Sequence, residues 1–388
     1  MAELQKLSSY KLDDLPDEVA LNILGFLNLK QLLLCGQVSK RLRAIGNDKS
    51  LWLNLNLCQR KVPYDFIEKA AGNGCQYLSL VDCNIIGWTG KSKLPFNLKY
   101  LNVCGQFQGA QKLVQNFSSL QKLSLAGSTL DSDDIQHLCQ NTQTLKVLDL
   151  QGCKIDLPYH TELVQDLLTN CAHLTELNIG PYIGPYSRML LHGDLIEALV
   201  DNLTPTILKV SIGGQKNLQD EHVKKLVKRC NNITHLDLKY TSITKDSVDS
   251  IYEQLKTSLQ KLRIKGSETH IDFAKLFLLK SMPALKTLIC DEPVNDNEEE
   301  GIENLKQQLR HISINEEDNL YYIASPWPFK RIDKEWIWEI RAKRQDWFAK
   351  VEVDIDGSYD SDDSDDSDDS DDSDDSDDRN DSDDSDDE

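Results

Sequence analysis

From Leu78 to Leu288 the chain repeats one short pattern of apolar positions, L-x-x-L-x-L, each copy followed by a polar stretch that leads to the next. Its clearest copies are SLQKLSLAGSTL from Ser119, TLKVLDLQGCKI from Thr144 and NITHLDLKYTSI from Asn232. The middle aliphatics are Leu78, Leu101, Leu123, Leu148, Leu177, Val210, Leu236, Leu262 and Leu288, at intervals of 23, 22, 25, 29, 33, 26, 26 and 26. Alternation over five residues predicts a short strand with one buried face. The polar, helix-prone stretch after it predicts the return to the next strand. One such unit cannot bury its own aliphatic face, so the pattern predicts an α/β solenoid of about nine or ten stacked units with caps at its ends. LNLNLC from Leu53 is expected to start the array, which spans 53–300. The intervals lengthen between Gly180 and Gly214. There the doublet Gly180-Pro181-Tyr182 and Gly184-Pro185-Tyr186 predicts a turn-rich excursion, either a connector or a loop that touches a ligand.

A different pattern precedes the repeats, from Leu12 to Trp52. Pro16 suits a first helical position, and Asp17 and Glu18 complement a helix N-terminus. The helix that follows holds Val19, Ala20, Leu21, Ile23, Leu24, Phe26 and Leu27, apolar nearly all the way round. A second helix with Leu29, Leu32, Leu33, Leu34 and Val38 and a third with Leu42 and Ile45 cover one side of it. So small a unit cannot hide the remainder, so an outside partner is implied, the alternative being a cap that closes the solenoid.

These residues resemble the F-box: Leu15-Pro16, Asp17-Glu18-Val19, Ile23, Leu27, Leu32-Leu33, Val38-Ser39-Lys40-Arg41 and Leu51-Trp52. The repeats resemble the cysteine-containing leucine-rich repeats. Cys83 and Cys153 stand three residues past the last strand aliphatic, and Cys171 and Cys230 stand three before the strand. The chain as a whole resembles an F-box/leucine-rich repeat protein. That resemblance implies a three-helix F-box over 12–52 after an extension at 1–11, then a leucine-rich repeat horseshoe. It implies a non-catalytic substrate receptor that docks on the Skp adaptor, and through it on the cullin and RING subunits of an SCF ubiquitin ligase. Carried over, the adaptor-binding residues are Leu15, Pro16, Ile23, Leu24, Leu27, Leu32, Val38, Leu42 and Trp52, which face the adaptor or fix the helices that do.

The repeats would present a protein substrate to the ligase on the residues beside the strand aliphatics, which point to the concave face. This set includes Tyr77, Tyr100, Lys122, Asp149, Glu176, Lys209, His235 and Asp237. Lys239, Lys261, Arg263 and Lys265 fall on adjacent strands with Tyr240 beside them, and form a candidate substrate site for an acidic or phosphorylated segment. The competing reading pairs these cations internally with Asp237.

Charge changes the picture only at one end. The formal net charge is −21, yet residues from Val351 onward hold 22 acids and one base, Arg379, which leaves 42 of each sign before them. Neutral repeats give no support for a nucleic-acid partner. The tail 351–388, with its Ser-Asp-Asp period, is expected to be disordered. Ser385, with Glu388 three residues on, and then Ser382 are candidates for acid-directed phosphorylation; the tail either screens the basic residues of the repeats or serves solubility alone. Residues 301–350 hold Trp327, Trp336, Trp338 and Trp347 and are expected to cap the array.

Ten cysteines without a C-x-x-C pair, no signal-like start and no apolar run of membrane length lead to the expectation of a soluble cytoplasmic or nuclear protein with reduced thiols. No cofactor or metal is expected, because the eight histidines show no metal-ligand spacing and no phosphate-loop or nucleophile-elbow motif occurs. A second resemblance, to acidic leucine-rich nuclear proteins that bind histones or act as scaffolds, covers architecture alone.

Overall fold

The computed structural model describes residues 15–58, 60–87, 97–104, 119–141, 143–155, 161–180, 191–267, 271–293 and 296–315. The extension 1–11, the four tryptophans of the expected cap, the acidic tail with Ser382 and Ser385, and the doublet beyond Gly180 lie outside the described residues.

Four helices open the described chain: α1 (Asp17–Leu24), α2 (Leu29–Val38), α3 (Lys40–Gly46) and α4 (Lys49–Trp52). Their starts are written locally. Asn28 and Gln31 form a reciprocal capping box, Ser39 Oγ accepts from Leu42 N, and Asp48 Oδ1 accepts from Ser50 N. Pro16 proves to be the N-cap of α1, in an extended conformation, rather than its first helical residue. Both α1 and α2 pack on α3.

Eleven parallel strands then follow in chain order, each paired with the next: β1 (Asn54–Asn56), β2 (Tyr77–Ser79), β3 (Tyr100–Asn102), β4 (Lys122–Ser124), β5 (Val147–Asp149), β6 (Glu176–Asn178), β7 (Lys209–Ser211), β8 (His235–Asp237), β9 (Lys261–Arg263), β10 (Thr287–Ile289) and β11 (Ser313–Ile314). Their central residues lie in one register, from Leu55 through Leu78, Leu101, Leu123, Leu148, Leu177, Val210, Leu236, Leu262 and Leu288 to Ile314. All eleven are buried. The molecule is a solenoid because a side chain on one strand meets its counterpart about 4.8 Å away on the next, and only stacking removes that aliphatic row from water. The sheet runs past residue 300, since the helix Asp296–Gln308 and β11 add one strand to the ten expected.

The helices between strands bury one stripe each. In Asp220–Arg229 that stripe is Val223, Leu226 and Val227; in Lys245–Leu255 it is Val248, Ile251 and Leu255. The long interval between Leu177 and Val210 does not interrupt the sheet, because β6 pairs directly with β7. Gln215 links the described residues on either side of 181–190: its buried amide accepts from Leu191 N at 2.8 Å and donates to Ile179 O at 3.2 Å. The thiols of Cys83 and Cys153 donate to Leu57 O and Leu125 O of the preceding unit, so they satisfy turn carbonyls.

Candidate partner-binding surfaces

The helical unit sorts its apolar residues into two sets. Ala20, Leu24, Leu32, Leu42, Ile45, Leu51 and Trp52 are buried, whereas Val19, Ile23, Phe26, Leu34 and Val38 are exposed, Phe26 at 84% and Val38 at 78%. Val19, Ile23 and Phe26 recur at helical spacing along α1 and its continuation, and Leu34 and Val38 lie one turn apart on α2. An exposed apolar set of this kind on a small domain marks a docking surface.

The nine residues carried over as facing the adaptor or fixing the helices that do therefore divide. Pro16, Ile23 and Val38 are exposed, and Leu15 and Leu27 are half-buried. Leu24, Leu32, Leu42 and Trp52 belong to the interior and cannot touch a partner. They hold the helices in place. Trp52 shows how: its Nε1 donates to Gly46 O at 2.7 Å, and its ring meets Phe66 of the helix Tyr64–Gly72 at 6.0 Å between centroids. It fastens the helical unit to the first repeat. Arg41 fixes the entry to α1 by donating to Leu15 O and to Asp17 Oδ1. Val19, Phe26 and Leu34, exposed but absent from the assigned set, carry no sequence signal that separates them from their buried neighbours.

The open face of the sheet is built from the first and third residues of each strand. Wherever Asn or Asp occupies the third place at Asn56, Asn102, Asp149, Asn178 and Asp237, its side-chain oxygen accepts from the backbone N–H two residues on, at 3.0–3.2 Å. These polar residues finish the strand ends. Toward the N-terminal end the first places hold Tyr77 and Tyr100, edge to face at 4.4 Å, with Lys122 Nζ 4.8 Å from the Tyr100 ring. This aromatic cluster was readable as concave residues but not as a cluster.

Toward the C-terminal end the five predicted substrate residues do come together on β8, β9 and the turns after them. Their charges are largely engaged. Arg263 Nη1 meets Asp237 Oδ2 at 3.2 Å, with both side chains mostly buried, and Lys265 Nζ meets Glu292 Oε1 at 2.6 Å. Lys239 is buried at 7% exposure and Lys261 is half-buried. The internally paired reading thus describes Arg263 and Lys265. Yet Arg263 Nε is buried with no hydrogen-bond partner. Asp291 on the next turn is engaged by the backbone, its Oδ1 accepting from Gly266 N at 2.5 Å.

No group of metal-ligating side chains occurs among the described residues, and no helix among them is long and apolar enough to cross a membrane. The cysteines are free, and burial pushes the thiols of Cys75 and Cys290 up to about 12 and that of Cys230 to about 11. Such thiols are poor nucleophiles at neutral pH.

Comparison with known families agrees with both halves of the architecture. An F-box-like domain matches residues 12–58, and the SKP2 LRR domain matches residues 73–345, more than half of the chain. Proteins with this arrangement are in general substrate receptors of SCF ubiquitin ligases, and the arrangement is typical of non-catalytic subunits. An outward apolar face on a small helical unit, fastened by Trp52 to eleven stacked strands of the SKP2 type, places this chain in the F-box/leucine-rich repeat family.

Proposed function

We propose that this protein is the substrate-recognition subunit of an SCF-type ligase. Its F-box docks on a Skp adaptor, and the open face of the sheet holds a protein substrate for ubiquitin transfer by the cullin and RING subunits. The observation that carries this reading is the exposed set Val19, Ile23, Phe26, Leu34 and Val38, set against a complete core of Ala20, Leu24, Leu32 and Leu42 just beneath. A unit that merely capped the solenoid would present a polar outer face. The histone-binding alternative offers no role for this face.

On the substrate side, Lys239, Tyr240, Lys261, Arg263 and Lys265 form the surface that takes an acidic or phosphorylated segment. The support is the buried Nε of Arg263, which has no hydrogen-bond partner, on the face that carries these cations. An unsatisfied buried donor is costly, and an incoming anion that shares the guanidinium with Asp237 would relieve it.

The test is co-purification with Skp adaptor and cullin, alongside a histone pull-down. The double substitution Ile23→Asp with Val38→Asp is expected to cut adaptor recovery at least ten-fold, on the order of a lost interface hot spot, with the melting temperature unchanged. Undiminished adaptor recovery would refute the docking surface. Histone capture without adaptor capture would favour the scaffold reading.

A further inference from the structure

After six of the described strands the turn reaches a left-handed backbone conformation four residues beyond the buried central aliphatic. Glycine occupies that place at Gly127 (φ 77°), Gly152 (φ 64°), Gly214 (φ 73°) and Gly266 (φ 77°), because it has no Cβ to clash there. Two of these six turns hold another residue. Asp82 (φ 54°) belongs to a residue type that tolerates the region, whereas Tyr240 (φ 59°) does not, and a bulky side chain there is a genuine outlier.

Nothing in the fold requires the tyrosine. The backbone of that turn is held as in its neighbours, with Tyr240 N donating to Lys265 O at 2.9 Å just as Gly127 N donates to Gln151 O at 2.8 Å. A glycine would make the same bond without strain. The residue is 47% exposed, so it fills no core. It lies across Gly266 of the next unit so closely that a Cβ there would collide with its Cδ1 and Cε1 atoms. The glycine thus gives the ring a flat seat. Lys239 precedes it, Lys265 lies against its backbone, and the orphan Nε of Arg263 belongs to the same pair of strands. A strained backbone and an unsatisfied buried donor in neighbouring units are the kind of local penalty that persists where a ligand binds.

We propose that Tyr240 is a specificity-determining aromatic platform of the substrate face: an apolar or aromatic side chain of the substrate lies on its ring, next to the anionic group held by the Lys239, Arg263 and Lys265 cluster. The inference rests on the reading of this face as the surface for an anionic segment, and adds the requirement for an apolar neighbour. The anion is a carboxylate or a phosphate, two sources of one chemistry.

Fluorescence anisotropy of the full chain with labelled ten-residue peptides tests it. The peptides carry either a Glu-Glu or a phosphoserine-Glu pair, followed by Trp, Leu or Gly. Wild type is expected to bind the Trp and Leu peptides about five- to ten-fold more tightly than the Gly peptide, on the scale of one aromatic contact. Tyr240→Phe keeps that preference. Tyr240→Gly abolishes it while melting at or above the wild-type temperature, because strain has been removed. The ranking of the glutamate and phosphoserine series identifies the anion. Equal affinity for Trp and Gly peptides, or a preference that survives Tyr240→Gly, would overturn the platform alone. A lower melting temperature of Tyr240→Gly would also overturn it, by making Tyr240 a packing residue. Binding of no peptide in either series would overturn both the platform and the anionic reading beneath it.

Discussion

The F-box and the C-terminal end of the open sheet face both present side chains that the fold does not need for its core, but they do so by opposite means. On the F-box the surplus is apolar, and residues such as Phe26 and Val38 face water beside a core already complete with Leu24 and Leu32. On the sheet the surplus is ionic and mostly balanced in place, Arg263 by Asp237 and Lys265 by Glu292. An exposed apolar face is stabilised only by a partner, and suits a constitutive subunit contact. A paired polar face is stable alone and gains from a partner only when the partner offers better geometry, which suits selective capture.

The comparison breaks most readily at the F-box core. Leu24→Asp, adjacent in sequence to Ile23, is expected to destabilise the helical unit by about 3–5 kcal/mol through cavity formation and a buried charge. Loss of the F-box helical signal on heating, with the repeat transition retained, would show this; a stability equal to that of Ile23→Asp would mean that the two faces of α1 are not distinct.

A smaller effect tests the sheet. Asp237→Ala removes both the Arg263 partner and the cap on Lys239 N, and is expected to lower stability by about 3 kcal/mol in urea unfolding. Asp237→Leu combined with Arg263→Met is expected to recover most of it. If the single substitution were silent, the pair would not organise the face.

The smallest effect lies on the helical side of the same repeats. Asp220 begins the helix Asp220–Arg229 and accepts from the backbone and side chains of Thr244 and Ser247 in the next unit. Partial burial alone would raise its pKa, but the hydrogen bonds from Ser247 and Thr244 outweigh this and hold it below the usual 3.8. A depressed folded pKa means that the stabilisation is complete above about pH 4 and is lost as pH falls through the folded value. The stability difference between wild type and Asp220→Asn is therefore expected to be constant from pH 8 to 5 and to shrink below 4. A difference that grew on acidification would contradict the inter-repeat clip.

Much of this was legible because it is periodic. Leu236, Leu262 and Leu288 recur every 26 residues, and each is the buried centre of a strand. The shared offset of Cys83 and Cys153 from their strands was readable too, whereas their bonds to carbonyls of the preceding unit were not. The F-box was legible from the dense match around Leu15-Pro16 and Leu51-Trp52. Its division into core and surface was not, because Ile23 and Leu24 have like side chains, and only the packing of α1 against α3 decides which is covered.

The sequence by itself determined the repeat, its strand centres and the F-box that precedes it, because these follow from the period of apolar residues and from local capping. The tertiary structure alone decided that Trp52 fastens rather than docks, that Arg263 is paired with a carboxylate 26 residues away, and that Tyr240 holds a left-handed backbone over Gly266. Each of these depends on contacts between units stacked in space, where a side chain's neighbours are set by register and direction rather than by its place in the chain.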